Sequence, residues 1–227
     1  MNSKKFVLYD QEIDNKVSEI KRLIFLSMNG VVSESIEQKG VFYKKNFGVS
    51  LYRLKQIAKK FEKNSILASQ LWNLQYRETM ILAIFLQPID EFSFLKATEW
   101  SNEIQTLELA EIASKNLFSE LDFSEQLADK CTGENKSLQT AISFFIFAEI
   151  VEKLAEEKLL LLVLNAFKKA IEGAETCRAV IVFLQKVTSK NETLKQRILI
   201  EIERMKSSDL YAERLIYEEL MTHILYS

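Results

Sequence analysis

The chain has 227 residues, of which 48% are hydrophobic, so it is long and apolar enough to bury a substantial core. Its 30 Lys and Arg against 32 Asp and Glu give a formal net charge of −2, which by itself favours no class of partner. With 1 His and 2 Cys, neither a structural zinc site nor a disulfide framework is expected. Only 5 Gly and 1 Pro interrupt the chain, which disfavours folds rich in tight turns.

No segment has the roughly 20 apolar residues that cross a bilayer, so we expect no membrane span. The apolar runs LLLLVL and SFFIFA are ended by Asn165 and Glu149. Two lone cysteines indicate a reducing compartment, and the N-terminal MNSKKFVLYDQE has no apolar stretch typical of a signal peptide. The sequence therefore predicts a cytoplasmic protein.

Helical periodicity runs through almost the whole sequence and predicts an all-α fold. The first helix is predicted to begin at about Asp10, which can cap it, and Gly30 is predicted to end it in the left-handed conformation. A short second helix is predicted to end at Gly40. Ser50 is the predicted N-cap of a third helix that continues to about Phe61.

Two more helices, over 64–74 and 77–86, are predicted before Pro88, which cannot continue a helix. Helical pairs then begin at intervals of 32, 33 and 36 residues, near Asp90, Asp122, Ala155 and Asn191. This period favours an α-solenoid of HEAT-like repeats, for which roughly 40 residues per unit is typical, and an irregular helical bundle is the alternative. Because no linker composition interrupts the chain, one domain over 1–227 is predicted.

Most catalytic signatures are absent from the sequence. There is no GxGxxG, P-loop, HExxH or CxxC pattern, so we expect neither a nucleotide cofactor nor a metal. His223 is the only imidazole, and a surface or packing role is the simpler interpretation. Cys131 and Cys177 are interpreted as small apolar residues.

Charge is distributed unevenly along the chain. Residues 39–63 carry eight Lys or Arg and one acid, a net of +7, whereas residues 89–125 carry nine acids and two lysines, a net of −7. Aromatic residues interleave with the basic run, at Phe42, Tyr43, Phe47, Tyr52 and Phe61. Such a composition is typical of proteins that neutralise phosphates with cations while aromatic residues pack beneath, and a solvated helix face is the alternative.

Two stretches resemble the N-terminal part of the AlkD-like DNA alkylation repair proteins, which are HEAT-like helical repeats. They are NFGVSLYRLKQIAKKF, residues 46–61, and SQLWNLQYRETMILAIFLQP, residues 69–88. In that family a Phe-Gly-Val turn precedes a basic helix, Leu-Trp lies on one helix and Arg-Glu on the next. The last two are matched by Leu71-Trp72 and Arg77-Glu78, and the resemblance continues more weakly to about Met205.

The resemblance implies a curved stack whose concave basic face binds duplex DNA. Active members of the family are glycosylases for N-alkylated purines, and they use no metal or cofactor. Because the N-terminal segment carries the only concentrated positive charge and resembles the family most strongly, five of its residues are predicted to form the DNA-binding surface: Lys44, Lys45, Arg53, Lys55 and Arg77.

The family's catalytic Asp lies in the helix that here reads TLELAEIASKNLF, where Glu111 falls at its position and Glu108 lies one turn earlier. The resemblance implies that the Glu111 carboxylate would stabilise the cation formed as the base departs. Both glutamates also have an ordinary interpretation, as solvent-facing acids of a helix.

The other catalytic features of the family are not matched. Its two stacking tryptophans fall at Leu107 and Val182, and its arginine falls at Thr140. Phe183, beside Val182, is predicted to be a partial substitute for a lesion-stacking aromatic ring. The sequence therefore predicts DNA binding with glycosylase activity that is weak or lost, and the alternative is a non-catalytic α-solenoid scaffold that binds a protein partner.

Overall fold

The computed structural model describes residues 10–38, 40–134 and 136–226. These ranges contain thirteen α-helices, two short 3₁₀ helices and no strand, so the predicted all-α fold is confirmed. None of the helices in the described part of the chain is long and apolar enough to cross a membrane. The chain divides into two compact units, Met1–Glu91 and Phe92–Ser227, and the prediction of one domain over 1–227 stays a prediction.

The first unit is built from five helices, which are α1 (Gln11–Leu26), α2 (Gly30–Gln38), α3 (Leu51–Ala58), α4 (Ser65–Asn73) and α5 (Arg77–Leu86). Helix α5 packs against α3 and α4, and α1 packs against the same two helices. Nearly every side chain of α5 is buried, which makes it the central helix of this unit.

Predicted helix caps in the first unit are confirmed at two positions. The Asp10 side chain accepts the backbone N–H groups of Glu12 and Ile13 at 3.0 and 3.3 Å, and Ser50 caps α3. The prediction that Gly30 ends the first helix is wrong, because Gly30 begins α2. The reason is that the neighbouring Asn29 side chain accepts the N–H of Val32 at 3.2 Å and so starts a new helix there.

The second unit is built from eight helices: α6 (Phe94–Glu103), α7 (Leu107–Asn116), α8 (Ser124–Thr132), α9 (Ser137–Glu149), α10 (Glu156–Ala170), α11 (Ala174–Lys190), α12 (Glu192–Glu203) and α13 (Tyr211–Tyr226). Short 3₁₀ helices at Phe118–Glu120 and Val151–Lys153 connect the first three pairs. The first helices of the four pairs therefore begin within a few residues of the predicted positions.

The helical pairs of the second unit stack through their second helices. Helix α7 packs against α9, α9 against α11, and α11 against α13, while α8, α10 and α12 pack against this row. Trp100, interpreted as a packing residue, is buried beside Phe92 with ring centroids 4.9 Å apart. Each pair thus buries its apolar surface against its neighbours, as repeat units do.

Candidate nucleic-acid interface

The Phe47-Gly48-Val49 turn before α3 is held by the Arg77-Glu78 pair at the start of α5. The fully buried Glu78 carboxylate accepts the backbone N–H groups of Phe47 at 3.1 Å and Val49 at 3.2 Å. Arg77 Nη1 donates to the Val49 carbonyl at 2.9 Å and to Glu78 at 3.0 Å. A buried charge is tolerated when it is paired and hydrogen-bonded, as it is here. The two motifs that carry the family resemblance therefore meet in space and fix the entry to the basic helix.

The other side of this turn is held by the start of α2. Gly48 has a φ of +67°, and a Cβ atom built there would lie 2.1 Å from the Asn29 carbonyl oxygen. The Asn29 N–H donates to the Phe47 carbonyl at 2.8 Å, and Ser33 Oγ donates to the Asn46 carbonyl at 2.9 Å. Both the conformation and the close approach require glycine at position 48.

Arg77 does not lie on the surface that the sequence predicts for it. It is 4% exposed and lies inside the first unit, where it makes the two hydrogen bonds described above. The physical reason is the adjacent Glu78, whose buried carboxylate needs a positive partner. Arg77 is therefore a positioning residue for the turn, and the prediction that it faces DNA is corrected.

The other four predicted DNA-binding residues keep their charge near the surface. Lys44, Lys45 and Lys55 are exposed, and Arg53 is half-buried. The Nζ atoms of Lys44 and Lys45 lie 5.8 and 5.2 Å from the centroid of the Tyr76 ring. Arg53 Nε donates to Ser27 Oγ at 3.0 Å, and its Nη1 donates to Gln56 Oε1 at 3.1 Å. These partners are neutral, so they orient the cations without cancelling their charge.

Within residues 40–63 of the described chain, no Lys or Arg forms an ion pair. Lys39, the first cation of the basic run, lies outside the described residues. Several cations of the second unit are paired, for example Lys158 with Glu125 and Lys190 with Glu152, both at 2.6 Å. In the described chain, the cations of residues 40–63 therefore carry charge that no carboxylate pairs.

The aromatic residues of the basic segment are only partly buried. Phe42 and Tyr52 are each 73% exposed, whereas Tyr43, Phe47 and Phe61 are half-buried. Phe42 and Tyr52 therefore do not pack beneath the cations. For Tyr52 the reason is local, because α3 buries the opposite face, which carries Leu54, Ile57 and Ala58.

The predicted catalytic and stacking residues of the second unit differ in exposure. Glu111 is exposed on α7, and Glu108 is half-buried one turn earlier. Phe183 on α11 is fully buried, and its ring centroid lies 5.5 Å from that of Phe144 on α9. A ring in this position has no face open to a base, so Phe183 is corrected from a stacking candidate to a core residue. The exposed Glu111 carboxylate and the buried Phe183 ring therefore cannot contact the same ligand.

The remaining positions aligned with the family's catalytic residues offer no substitute. Leu107 and Val182 are half-buried aliphatic residues, and Thr140 is buried on α9. Among the residues that the structure describes, no three His, Cys, Asp or Glu side chains are close enough together to hold a metal ion. Of the positions aligned with the family's catalytic residues, Glu111 alone has an exposed charged side chain.

The family described as DNA alkylation repair enzyme matches residues 36–172, which is more than half of the 227-residue chain. The chain belongs to this family. The match to the DNA alkylation repair enzyme family covers both the basic segment and Glu111, and it ends before Phe183.

A solved structure described as "A new family of proteins related to the HEAT-like repeat DNA glycosylases with affinity for branched DNA structures" is similar to this chain, with a TM-score of 0.76. The similarity covers 91% of this chain and 94% of the other at 18% identity. At this identity the similarity concerns the fold, and the predicted HEAT-like repeat fold is confirmed. No curated protein matches the chain.

Sequence reasoning missed Tyr76, whose ring lies beneath Lys44 and Lys45. Tyr76 stands at the N-cap position of α5, directly before the Arg-Glu motif of the DNA alkylation repair enzyme family. No local pattern marks this ring as part of a surface, because the residues that approach it come from about 30 positions earlier in the chain. Only the folded turn before α3 brings them together.

Proposed function

We propose that this member of the DNA alkylation repair enzyme family binds DNA through a basic surface that includes Lys44, Lys45, Arg53 and Lys55. The observation that carries the proposal is the absence of any ion pair for the cations of residues 40–63 in the described chain. Uncompensated cations bind phosphates and release the counterions condensed on DNA, which is a favourable term. This segment lies inside the region that matches the family.

Duplex DNA is the partner that we propose first, as the family resemblance implies. The fold-level relative described as having affinity for branched DNA supports a nucleic-acid partner in general. Because Arg77 is buried, the proposed surface has four of the five cations predicted from the sequence. The concave shape that the resemblance implies for the DNA-binding face stays a prediction.

The test is the salt dependence of duplex DNA binding, measured by fluorescence anisotropy from about 50 to 200 mM salt. For Z phosphate contacts, the slope of log affinity against log salt is about −0.9Z, so the variant with both Lys44→Ala and Lys45→Ala is expected to flatten it by up to about 1.8. Lys168→Ala is the matched control, because Lys168 is an exposed lysine of α10 in the second unit. We expect this control to leave the slope unchanged.

Two results would count against the proposal. An equal slope for the wild type and the double lysine variant would remove these lysines from the interface. No duplex binding at low salt would favour the scaffold that binds a protein partner. Circular dichroism of each variant would show that the helices are intact.

For catalysis, we propose that any excision of alkylated purines is slow and depends on Glu111. The Glu111 carboxylate is accessible on α7, and an ionised carboxylate can stabilise the developing sugar and base cation. We propose no stacking on the lesion, because Phe183 is buried and Leu107 and Val182 are aliphatic. The chemistry needs no metal or cofactor in this scheme.

A further inference from the structure

A pocket of about 310 Å³ opens on the first unit between α1, the turn before α3 and the start of α5. Three of its walls are aromatic side chains, from Phe25, Phe47 and Tyr76. Lys21 and Arg22 of α1 also line it. Binding pockets for small molecules have volumes of about 300 to 1,000 Å³, so this one matches a single planar ring system rather than an extended ligand.

The rings of the pocket present faces and edges at different angles. Phe47 and Tyr76 meet edge to face, with centroids 6.2 Å apart and planes inclined at 62°. Phe25 is 59% exposed, which is unusual for a phenylalanine. A planar ligand that inserts here would therefore cover an aromatic surface that water now contacts, and this burial is favourable.

The charge around the pocket is positive. Lys21 and Arg22 are exposed and have no ion-pair partner in the described chain. Lys44 and Lys45 approach the same Tyr76 ring to within 5.8 and 5.2 Å of its centroid. Two cations thus line the aromatic pocket, and two more lie against one of its rings.

Glu78 of α5, the acid next in sequence to the pocket-lining Thr79, does not neutralise the lysines and arginine around the pocket. Glu78 directly precedes Thr79, which lines the pocket, but its side chain is fully buried. Its oxygens accept the N–H groups of Phe47 and Val49 and one donor of Arg77. Of the residues that line the pocket, the two charged ones, Lys21 and Arg22, are both cations.

We infer that this pocket holds an unpaired nucleobase of DNA, with Lys21, Arg22, Lys44 and Lys45 contacting the phosphates beside it. Aromatic side chains stack on any base, because every base has a π face, and cations follow the backbone on either side. A base inside a duplex has both faces covered by its neighbours, so it cannot enter. The inference rests on the proposed DNA binding and adds that the first unit recognises single-stranded nucleotides next to a duplex.

The test compares two DNAs that share one duplex, of which one has blunt ends and the other carries a short single-stranded thymidine overhang. We expect the wild type to bind the overhang DNA more tightly. Phe25→Ala is expected to weaken overhang binding roughly five- to 150-fold, the range for loss of one stacking partner, and to leave blunt duplex binding unchanged. The salt slope is expected to stay the same, because no phosphate contact is removed.

Leu26→Ala is the matched control for this test. Leu26 is the next residue of α1, is 68% exposed and does not line the pocket. We expect Leu26→Ala to change neither affinity, since it removes the same kind of exposed apolar surface without touching the site. A 2-aminopurine placed in the overhang gives a second measurement, because stacking in the pocket is expected to quench it in the wild type and not in Phe25→Ala.

The outcomes separate this inference from the proposed function. If no DNA binds at low salt, both are overturned, and a protein segment becomes the occupant to examine. If the blunt and overhang DNAs bind equally, DNA binding stands and the pocket is not a base site. If Phe25→Ala weakens the binding of both DNAs, or of neither, the inference that the pocket holds a base is likewise overturned.

Discussion

Glu78, the second residue of α5, accepts the backbone N–H of Val49, 29 residues earlier in the chain, at 3.2 Å. The same carboxylate accepts the N–H of Phe47 at 3.1 Å. These hydrogen bonds tie the most buried helix of the first unit to the turn that starts the basic helix. The position of Lys44 and Lys45 beside Tyr76 depends on this connection, because both lysines lie within three residues of the turn.

Glu78→Gln is expected to lower the free energy of unfolding by about 3 to 5 kcal/mol. The amide removes the charge that Arg77 pairs with, and it directs an N–H group toward backbone donors. Urea denaturation followed by far-UV circular dichroism measures the change. Glu111→Gln is the control, because an exposed glutamate is expected to contribute within about 0.5 kcal/mol. Similar losses for both variants would contradict the structural role of Glu78.

Gly48→Ala is expected to destabilise the chain more than Gly40→Ala. Both glycines have positive φ, +67° and +77°, so alanine costs about 1 to 2 kcal/mol of backbone strain at either position. At Gly48 the new Cβ would also lie 2.1 Å from the Asn29 carbonyl oxygen and 2.7 Å from the Ser33 nitrogen, whereas nothing lies within 4 Å at Gly40. The difference between the two urea midpoints measures this steric contact, and equal midpoints would contradict it.

Stability is expected to fall between about pH 9 and pH 11 through Cys131. Burial raises the pKa of the Cys131 thiol from 9.0 to about 11, so the folded chain keeps a proton that the unfolded chain loses. The stabilising contribution is complete below pH 9 and is lost as the pH rises to about 11, on the order of 2 to 3 kcal/mol. Comparing denaturation of the wild type and Cys131→Ala across this range isolates the effect. Parallel pH profiles would contradict it.

Excision of alkylated purines is expected to be slow and to fall about a hundredfold to a thousandfold in Glu111→Gln. Removing one preorganised charge partner of a developing cation typically costs this much. Release of 3-methyladenine and 7-methylguanine from methylated DNA is the measurement, with Glu120→Gln as a control for another exposed acid of the second unit. Rapid excision that is unaffected by Glu111→Gln would show that the active site lies elsewhere.

The local sequence was enough to predict the helices and their grouping into pairs. Asp10 and Ser50 cap the helices that they were expected to cap, and the four helical pairs begin close to their predicted positions. These features follow from interactions between residues a few positions apart, which the local sequence contains. The exception, Gly30, is also local, because the competing cap at Asn29 lies one residue away.

Which charged and aromatic residues reach the surface depends on contacts between distant segments. Arg77 and Lys55 were both predicted to face DNA, yet Arg77 is buried because the carboxylate of Glu78 is buried beside it. Phe183 is a core residue because α9 places Phe144 against its ring. The pocket around Tyr76 joins α1, the turn before α3 and α5. Contacts between such distant segments are set by packing, which no local pattern in the sequence encodes.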